Sequence, residues 1–504
     1  MHQLGLGDKK NTMKKIIYIL FLGLGTQFSF GQSHRFTDLG LLFNQKDISG
    51  TARYKGLSGA MGALGGDIST INQNPAGLGV FNHNDFSISL GNAATSQTAS
   101  YYENSFKNSN YDFDLNQLGI AFIFDRANFD WKKTVFAINY QKTYNFNNLI
   151  NVFGNSDFAS FRTHHSFTDG SELFDSALRQ NLKNETSGES SVLNIGIASQ
   201  YKNNLYVGGS LNIHNIDITQ EVFLDETNES NKANLLQAEL TQRDYNSADG
   251  ISFNFGILYK IYPSVRIGIA YQSPTWYTDI VNESNIYDGR NDSTFGRAPG
   301  NSKSTPLEGN PNFETEIKGD VYISPHNEDK ENTEYVPYQN LLERIEYNIK
   351  TAGKFNISSA FILGKTGLIS LDYSYHNYKA LSLSGEGGFT LENNYFSDVL
   401  ENTHNIKGGG EIRIKSFAIR GGLSYEQSAF DKKKKQTIHV IRFGDKYGAS
   451  LGAGLRIENH KFDLSYNYMQ QKNSYDFYDD YNEVTPVDLD VKQSRVNVTY
   501  SYIF

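Results

Sequence analysis

Reactive side chains at useful spacings are few in this 504-residue chain. His164, His165 and Asp169 offer imidazole and carboxylate donors of the kind that ligate zinc, yet they lie in a long polar run with no second donor pair at ligand spacing. A solvated loop accounts for them, so no metal is expected, and no cofactor. GxSxG, GxGxxG, Walker and HExxH patterns do not occur, which leaves nucleophilic, nucleotide and zinc-hydrolase chemistry without their usual motifs. Cysteine is absent altogether, which excludes thiol chemistry, cysteine metal sites, disulfides and a lipid-anchored cysteine. No catalytic residue is assigned, and the chain is not expected to be an enzyme.

Two other patterns remain. One is charge: residues 432–435, KKKK, form either a solvated loop tip or a grip on lipopolysaccharide phosphates. The other is apolar residues set into polar stretches, with Val222, Phe223, Leu224, Leu235 and Leu236 in one and Trp276, Tyr277, Leu341 and Leu342 at the ends of another. Loops in water seldom carry such clusters without packing them or catching something apolar. Phe223, Leu224, Leu235, Leu236, Trp276, Leu341 and Leu342 are therefore candidate ligand-binding residues.

The elements that would position these residues read as strands. In RVNVTYSYIF, Val496, Val498, Tyr500, Tyr502 and Phe504 share one face, while Arg495, Asn497, Thr499 and Ser501 share the other. The same period of two recurs in ISFNFGILY, SVRIGIAYQ, GLISLDYSYH and KFDLSYNYM, with no helical stripe competing. Asp372, Ser374 and His376 on one such strand, and Arg420, Ser424 and Glu426 on another, fall on the polar face and would line either a specific conduit or a plain hydrated lumen. A mean hydropathy of −0.50 suits a soluble protein, but 34 Phe, 32 Tyr and 45 Gly against 9 Pro suit transmembrane β-strands. About fourteen segments are counted. Short turns at 202–204, 262–264, 364–367 and 458–460 alternate with long polar loops near 147–189, 220–248 and 275–345. The expected fold is all-β, a transmembrane antiparallel β-barrel of about fourteen strands in the outer membrane.

Residues 13–24 place two lysines before an apolar run, and residues 29–31 supply small positions for cleavage before Gln32. Residues 1–31 thus read as an upstream leader and signal peptide, since a membrane anchor needs about 20 apolar residues. The formal net charge of −9 argues against nucleic acid as a partner. Tyr500, Tyr502 and the final Phe504 form the terminal aromatic pattern that barrel-insertion machinery reads, which makes that machinery an expected partner alongside outer-membrane lipids and lipopolysaccharide.

Residues 61–81, MGALGGDISTINQNPAGLGVF, precede the first strand, are rich in glycine and cannot be wall. Here Asn74-Pro75-Ala76-Gly77, with GALGGD at 62–67 before it and KFNISSAFILGKTGLISLDYSYHNY at 354–378, resembles the FadL-type outer-membrane transporters of long-chain fatty acids and aromatic hydrocarbons. The resemblance implies a hatch inside the lumen over residues 32–83, a barrel over 84–504, and Asn74, Pro75, Ala76 and Gly77 at the gate. It implies uptake of hydrophobic compounds such as long-chain fatty acids, captured on outer loops and passed through a hatch-gated barrel. It also implies a sideways exit at the third strand, although residues 133–146 hold neither Gly nor Pro to mark a kink. Docking within a protein secretion apparatus and outer-membrane lipid hydrolysis are the alternatives.

Overall fold

The structure is a computed structural model that describes residues 36–125, 130–159, 173–232, 234–288, 323–325, 339–385, 388–430, 441–477 and 484–504. The leader segment, His164, His165, Asp169 and residues 432–435 lie outside the described residues. Among the described residues no helix is long and apolar enough to cross a membrane and no metal-binding cluster occurs.

Fourteen antiparallel wall strands close into a barrel. They begin with β1 (Asp85–Tyr101), β2 (Asn104–Asp125), and β3 (Trp131–Asn145, resumed as Asn148–Gly154). Three tall strands follow, β4 (Phe174–Tyr201), β5 (Leu205–Ser230) and β6 (Asn234–Tyr262). Next come β7 (Val265–Gln272, resumed as Trp276–Asp288), β8 (Gln339–Lys350, resumed as Lys354–Leu363) and β9 (Gly367–His376, with Ser382–Gly385). The wall ends with β10 (Thr403–Ile414), β11 (Phe417–Glu426), β12 (Ile441–Ile457), β13 (His460–Tyr475) and β14 (Val487–Ile503). Ladder pairs running from Asp85–Ile503 to Ser100–Asp488 join β1 to β14 and remove both sheet edges.

The alternation read from the sequence sets the faces. On β6, Ile251, Phe253, Phe255, Ile257 and Tyr259 are exposed, while Ser252, Asn254 and Leu258 are buried. On β14, Val496, Val498, Tyr502 and Phe504 are exposed, while Asn497, Thr499 and Ser501 are buried. A belt of aliphatic and aromatic side chains thus rings the end with the short turns, as a lipid-facing band requires. Residues 351–353 interrupt β8 beside a matching interruption at 273–275 in β7, where Thr275 N donates to Thr351 Oγ1 (2.8 Å). The hatch docks at this kink, with Ala352 N donating to Asn44 Oδ1 (2.9 Å).

One expectation is corrected. Residues 220–248 and much of 147–189 are strand rather than loop, because β4, β5 and β6 run for 28, 26 and 29 residues. At about 3.3 Å per residue, such strands reach roughly 90 Å, far beyond the 9–11 residues a span needs. Their outer halves stand above the lipid, and β5 ends at Ser230 only four residues before β6 begins at Asn234. The short-long rhythm of connections is therefore not strict, since β1 and β2 also meet at the outer end through Tyr102 and Glu103 alone.

The lumen is filled by residues 36–84. Helix α1 (Phe36–Leu42), helix α2 (Ala52–Gly56) and two 3-10 turns (Ile68–Asn72 and Pro75–Val80) follow in order. Thr51 caps α2 by accepting from Tyr54 N, and donates its hydroxyl proton to Asp67, the cap of the first 3-10 turn (2.8 Å). Short helices are marginal alone; here one hydrogen bond ties two caps together. Toward the outside, Leu39, Leu42 and Phe43 join an apolar cluster with Tyr277, Ile280, Tyr347 and Leu383. Helix α3 (Thr390–Asp398), between β9 and β10, closes over it by setting Phe396 against Gly40.

A direct check of this architecture lies on β6. Phe255→Arg is expected to cost roughly 2–4 kcal/mol, the penalty for a midplane cation facing lipid. Tyr245→Arg, on the same outward face but in the outer extension, is expected to change stability little. Reversible urea unfolding in vesicles measures both, and equal costs would place the outer extension in the bilayer.

Candidate functional site

Asn74, Pro75, Ala76 and Gly77 are all buried, and they rest on a seat made by the wall. Gly208 on β5, Gly256 on β6 and Gly268 on β7 face inward on three adjacent strands, with Gly208 paired to Gly256 and Leu258 to Gly268. A Cβ at Gly208 would lie 2.6 Å from Pro75 O, one at Gly268 would lie 2.6 Å from Gly62 O, and one at Gly256 would strike the Asn74 amide. Only glycine allows so close an approach. The Asn74 amide donates to Gly62 O (2.7 Å) and to the wall at Ile257 O (3.2 Å), while its oxygen accepts from Ala76 N (3.1 Å). One side chain thereby joins hatch, wall and turn.

The wall answers with amides of its own. Asn254 donates to Ile71 O (3.1 Å) and Asn356 to Gln73 O (3.2 Å), which satisfies carbonyls that a 3-10 turn leaves open. An inward chain runs Gln117, Asn139, Asn194, Asn212 and Ser252 across five strands, and Asn72 of the hatch donates to Asn194 (3.0 Å). Asp372 accepts from Gly62 N (2.9 Å) and from Gln73. Of the other expected lumen residues, Arg420 binds Glu411 (2.6 Å) and Asp463 (2.6 Å), and Glu411 binds Arg53 of the hatch (3.3 Å).

Among the described residues the wall parts between β2 and β3. β2 and β3 pair from Asp125–Lys133 to Gln117–Gln141 and no further, and over residues 104–116 β2 pairs only with β1. Two bulges explain the parting. Asn116 is the extra residue of β2 opposite β1, and Thr143 that of β3 opposite β4. Bulges bend a strand and leave a residue unpaired, so a kink in β3 needs neither Gly nor Pro. The hatch takes up the freed carbonyl, since Asp47 N donates to Thr143 O (2.9 Å). Across the seam side chains meet: Lys142 binds Asp114 (2.9 Å), Asn147 donates to Asp112 (3.1 Å), and the rings of Phe106 and Phe153 pack edge to face with centroids 4.6 Å apart. Lys142 also binds Glu189 of β4 (2.7 Å).

Three cavities lead to this seam. The smallest, about 30 Å³, lies at it among Asp112, Asp114, Lys142 and Asn147. A chamber of about 90 Å³ adjoins it, lined by the apolar Leu42, Phe146, Ile150, Phe443 and Leu489 and by as many polar side chains, among them Asp47, Gln97, Asn145, Asn184 and Gln471. Asp47 and Phe443 also line the third, about 160 Å³ above the hatch, where Lys46, Lys354, Lys407 and Lys446 face Asp47 and Glu426. Lys407 reaches Glu426 (3.8 Å), and Lys446 reaches Asp47 (3.7 Å) and Glu426 (3.9 Å). Among the described residues Lys46 and Lys354 have no ion pair. Burial lowers the Lys46 pKa to about 8. Burial opposes ionisation of Asp47 as well, but Arg495 at 2.5 Å and Lys446 overcome it and hold that carboxyl below its usual pKa.

The expected ligand-binding residues fall on several faces. Leu224, with Val222, is buried inside the outer wall beside Ile150, Leu182 and Tyr475, next to the chamber. Phe223 lies on the opposite face of β5 and is partly exposed, Leu235 is partly exposed, and Leu236 is buried. Trp276 points outward at the upper belt beside Phe253. The side chains of Leu341 and Leu342 lie outside the described set. Tyr502 and Phe504 stack on the outer surface of the closing strand.

The barrel with its seated hatch defines a transmembrane β-barrel fold closed by an internal plug. Among solved structures, a Pseudomonas aeruginosa FadL homologue aligns with 91% of this chain and 99% of its own at 13% identity and a TM-score of 0.57. The Pseudomonas putida toluene transporter TodX aligns with 91% and 99% at 11% identity and a TM-score of 0.53. The CymD monoaromatic hydrocarbon channel aligns with 91% and 98% at 12% identity and a TM-score of 0.50. No family model and no curated protein matches the chain. The chain has the FadL-type fold, an outer-membrane barrel of fourteen strands.

The seat yields a test. Gly256→Val is expected to leave a heat-modifiable, membrane-inserted barrel whose hatch no longer closes it, so conductance in planar bilayers rises. Gly410→Val, where an added Cβ meets nothing closer than 3.6 Å, is the control and should stay silent. Silent bilayers for both variants would mean the hatch does not depend on the seat.

Proposed function

We propose that the protein is an outer-membrane channel for uptake of hydrophobic compounds, which enter the outer lumen and leave sideways through the seam between β2 and β3. The observation that carries this reading is the wall itself. Over residues 104–116 the backbone ladder to β3 is replaced by side-chain contacts, directly beside a chamber lined by both apolar and polar side chains. A hydrophobe gains little from a water-filled pore, whereas a sideways route past the chamber's apolar residues into lipid shortens its passage through water. The transport role of the FadL-type and toluene-transporter neighbours supports the same cargo class. Asn74, Pro75, Ala76 and Gly77 act as the gate region that keeps the axial route closed. Of the seven apolar residues named from the sequence, Leu224 acts here, in the buried cluster beside the chamber.

The unpaired Lys46 and Lys354 favour a cargo with an anionic head, such as a long-chain fatty acid, over a neutral hydrocarbon. The outward aromatics Tyr500, Tyr502 and Phe504 suit recognition by the insertion machinery, and the tall outer wall stands where lipopolysaccharide surrounds it.

The chain has no cysteine, so Asp112→Cys with Asn147→Cys permits a clean closure of the seam by a short cleavable thiol crosslinker. Uptake of a fluorescent long-chain fatty acid should fall on crosslinking and recover on cleavage, at constant surface abundance. Unchanged uptake in fully crosslinked protein would refute the sideways exit, and absent uptake before crosslinking would refute transport of this cargo. Separately, Lys46→Gln with Lys354→Gln should weaken fatty-acid binding by roughly tenfold, about 1.4 kcal/mol, and leave toluene binding unchanged. Equal loss for both ligands would mean the lysines do not read charge.

A further inference from the structure

On the opposite side of the hatch, at the end with the short turns, lies a cavity of about 520 Å³ that the path above does not use. Its hatch side is Leu64, Gly65, Gly66, Val80 and Phe81. The wall side is strongly basic, and the acids are already committed. Glu411 binds Arg53, Arg413 (2.6 Å) and Arg420; Asp463 binds Arg420; Asp85 binds Lys461 (2.9 Å). Three lining cations, Arg266, Lys415 and Arg456, have no ion pair among the described residues. This is a local excess of positive charge in a chain whose formal net charge is −9.

Arg266 carries the sharper signal. Its Nη1 donates to Leu64 O (2.7 Å), but its Nε is buried with no hydrogen-bond partner. A buried guanidinium N–H left without an acceptor is costly. Guanidinium forks match the paired oxygens of phosphate and carboxylate, and charge-assisted bonds of this kind are roughly twice as strong as neutral ones.

We propose that this cavity is an anion-binding site for a phosphate or carboxylate group, anchored by the Arg266 guanidinium that lines it and neutralised by Lys415 and Arg456. The site is coupled to the hatch. Arg266 holds the Leu64 carbonyl and Arg53 holds the Gly66 carbonyl (3.0 Å), on either side of Gly65, which with Gly66 has positive φ (64° and 68°). An anion that fixes the Arg266 guanidinium therefore fixes the carbonyl it grips, and by linkage a seated hatch binds the anion more tightly. None of this rests on hydrophobic uptake, since a barrel that moved no hydrophobe would still hold the anion.

The experiment uses the full chain in an uncharged detergent and inorganic phosphate as the probe, with calorimetric titration and amide hydrogen exchange at Gly65 and Gly66. Wild type is expected to bind saturably, with exchange slowed on binding. Arg266→Gln should weaken affinity at least tenfold and abolish the slowing. Lys415→Gln with Arg456→Gln keeps the Leu64 latch and should weaken affinity several-fold, which tests the site even if Arg266→Gln unseats the hatch. A second arm replaces inorganic phosphate with a short-chain phosphatidic acid. Tighter binding there marks a lipid headgroup as the source, and equal or weaker binding marks a free anion. Absence of saturation up to about 10 mM phosphate in wild type, a free energy weaker than ~3 kcal/mol, would overturn the proposal. Unchanged affinity in both variants would do the same.

Discussion

A backbone that crosses lipid must satisfy every N–H and C=O within protein, because nothing in the hydrocarbon will do so. This constraint governs the whole molecule. It requires a closed ladder, supplied by the pairing of β1 with β14, and it makes any unpaired stretch of wall a place where another partner must appear. Where β2 leaves β3, the partner is the hatch, whose Asp47 amide takes the carbonyl of the bulged Thr143. Hatch and seam are therefore one device. The plug completes the backbone bonding of the wall at the point where the wall opens.

The same rule explains the polar character of the inner face. A plug made of short helical turns has many open backbone groups, and an apolar wall would leave them unsatisfied. Asn254 and Asn356 meet these groups with their amides, and Asn194 donates to and accepts from the side chain of Asn72. At Asn74 the plug answers with an amide of its own, against strands from which glycine has removed the side chains.

The lower barrel was legible in the sequence because lipid enforces a strict period of two, as on residues 251–259 and 496–504. Above the lipid nothing enforces it. On residues 220–248 the outward face is polar and the pattern reads as loop, although the ladder from Thr219–Tyr245 to Glu229–Leu235 continues unbroken. The hatch was legible from its glycines and Asn74-Pro75, but its seat was not. Gly208, Gly256 and Gly268 are far apart in sequence and become neighbours only through the register of three strands. Their sole local trace is a glycine at an inward position of an otherwise regular strand. The seam was hidden for a related reason. Asn116 and Thr143 become bulges through a register mismatch with the neighbouring strands, and no residue type announces it.

Magnitudes show why a seam closed by side chains suits a door. Unzipping a ladder of this length would expose a run of backbone groups at several kcal/mol each in lipid. No thermal fluctuation on a working timescale supplies that. Lys142–Asp114 and Asn147–Asp112 are instead a partly solvated ion pair and a surface hydrogen bond, worth at most a few kcal/mol together. Glu189 lowers the cost further, because it keeps Lys142 paired when Asp114 lets go. The cation never faces the chamber uncompensated, so the opening step carries no full desolvation penalty. The bulges have already taken the backbone out of the transition, and what remains to move is side-chain contacts, the Phe106–Phe153 ring pair among them.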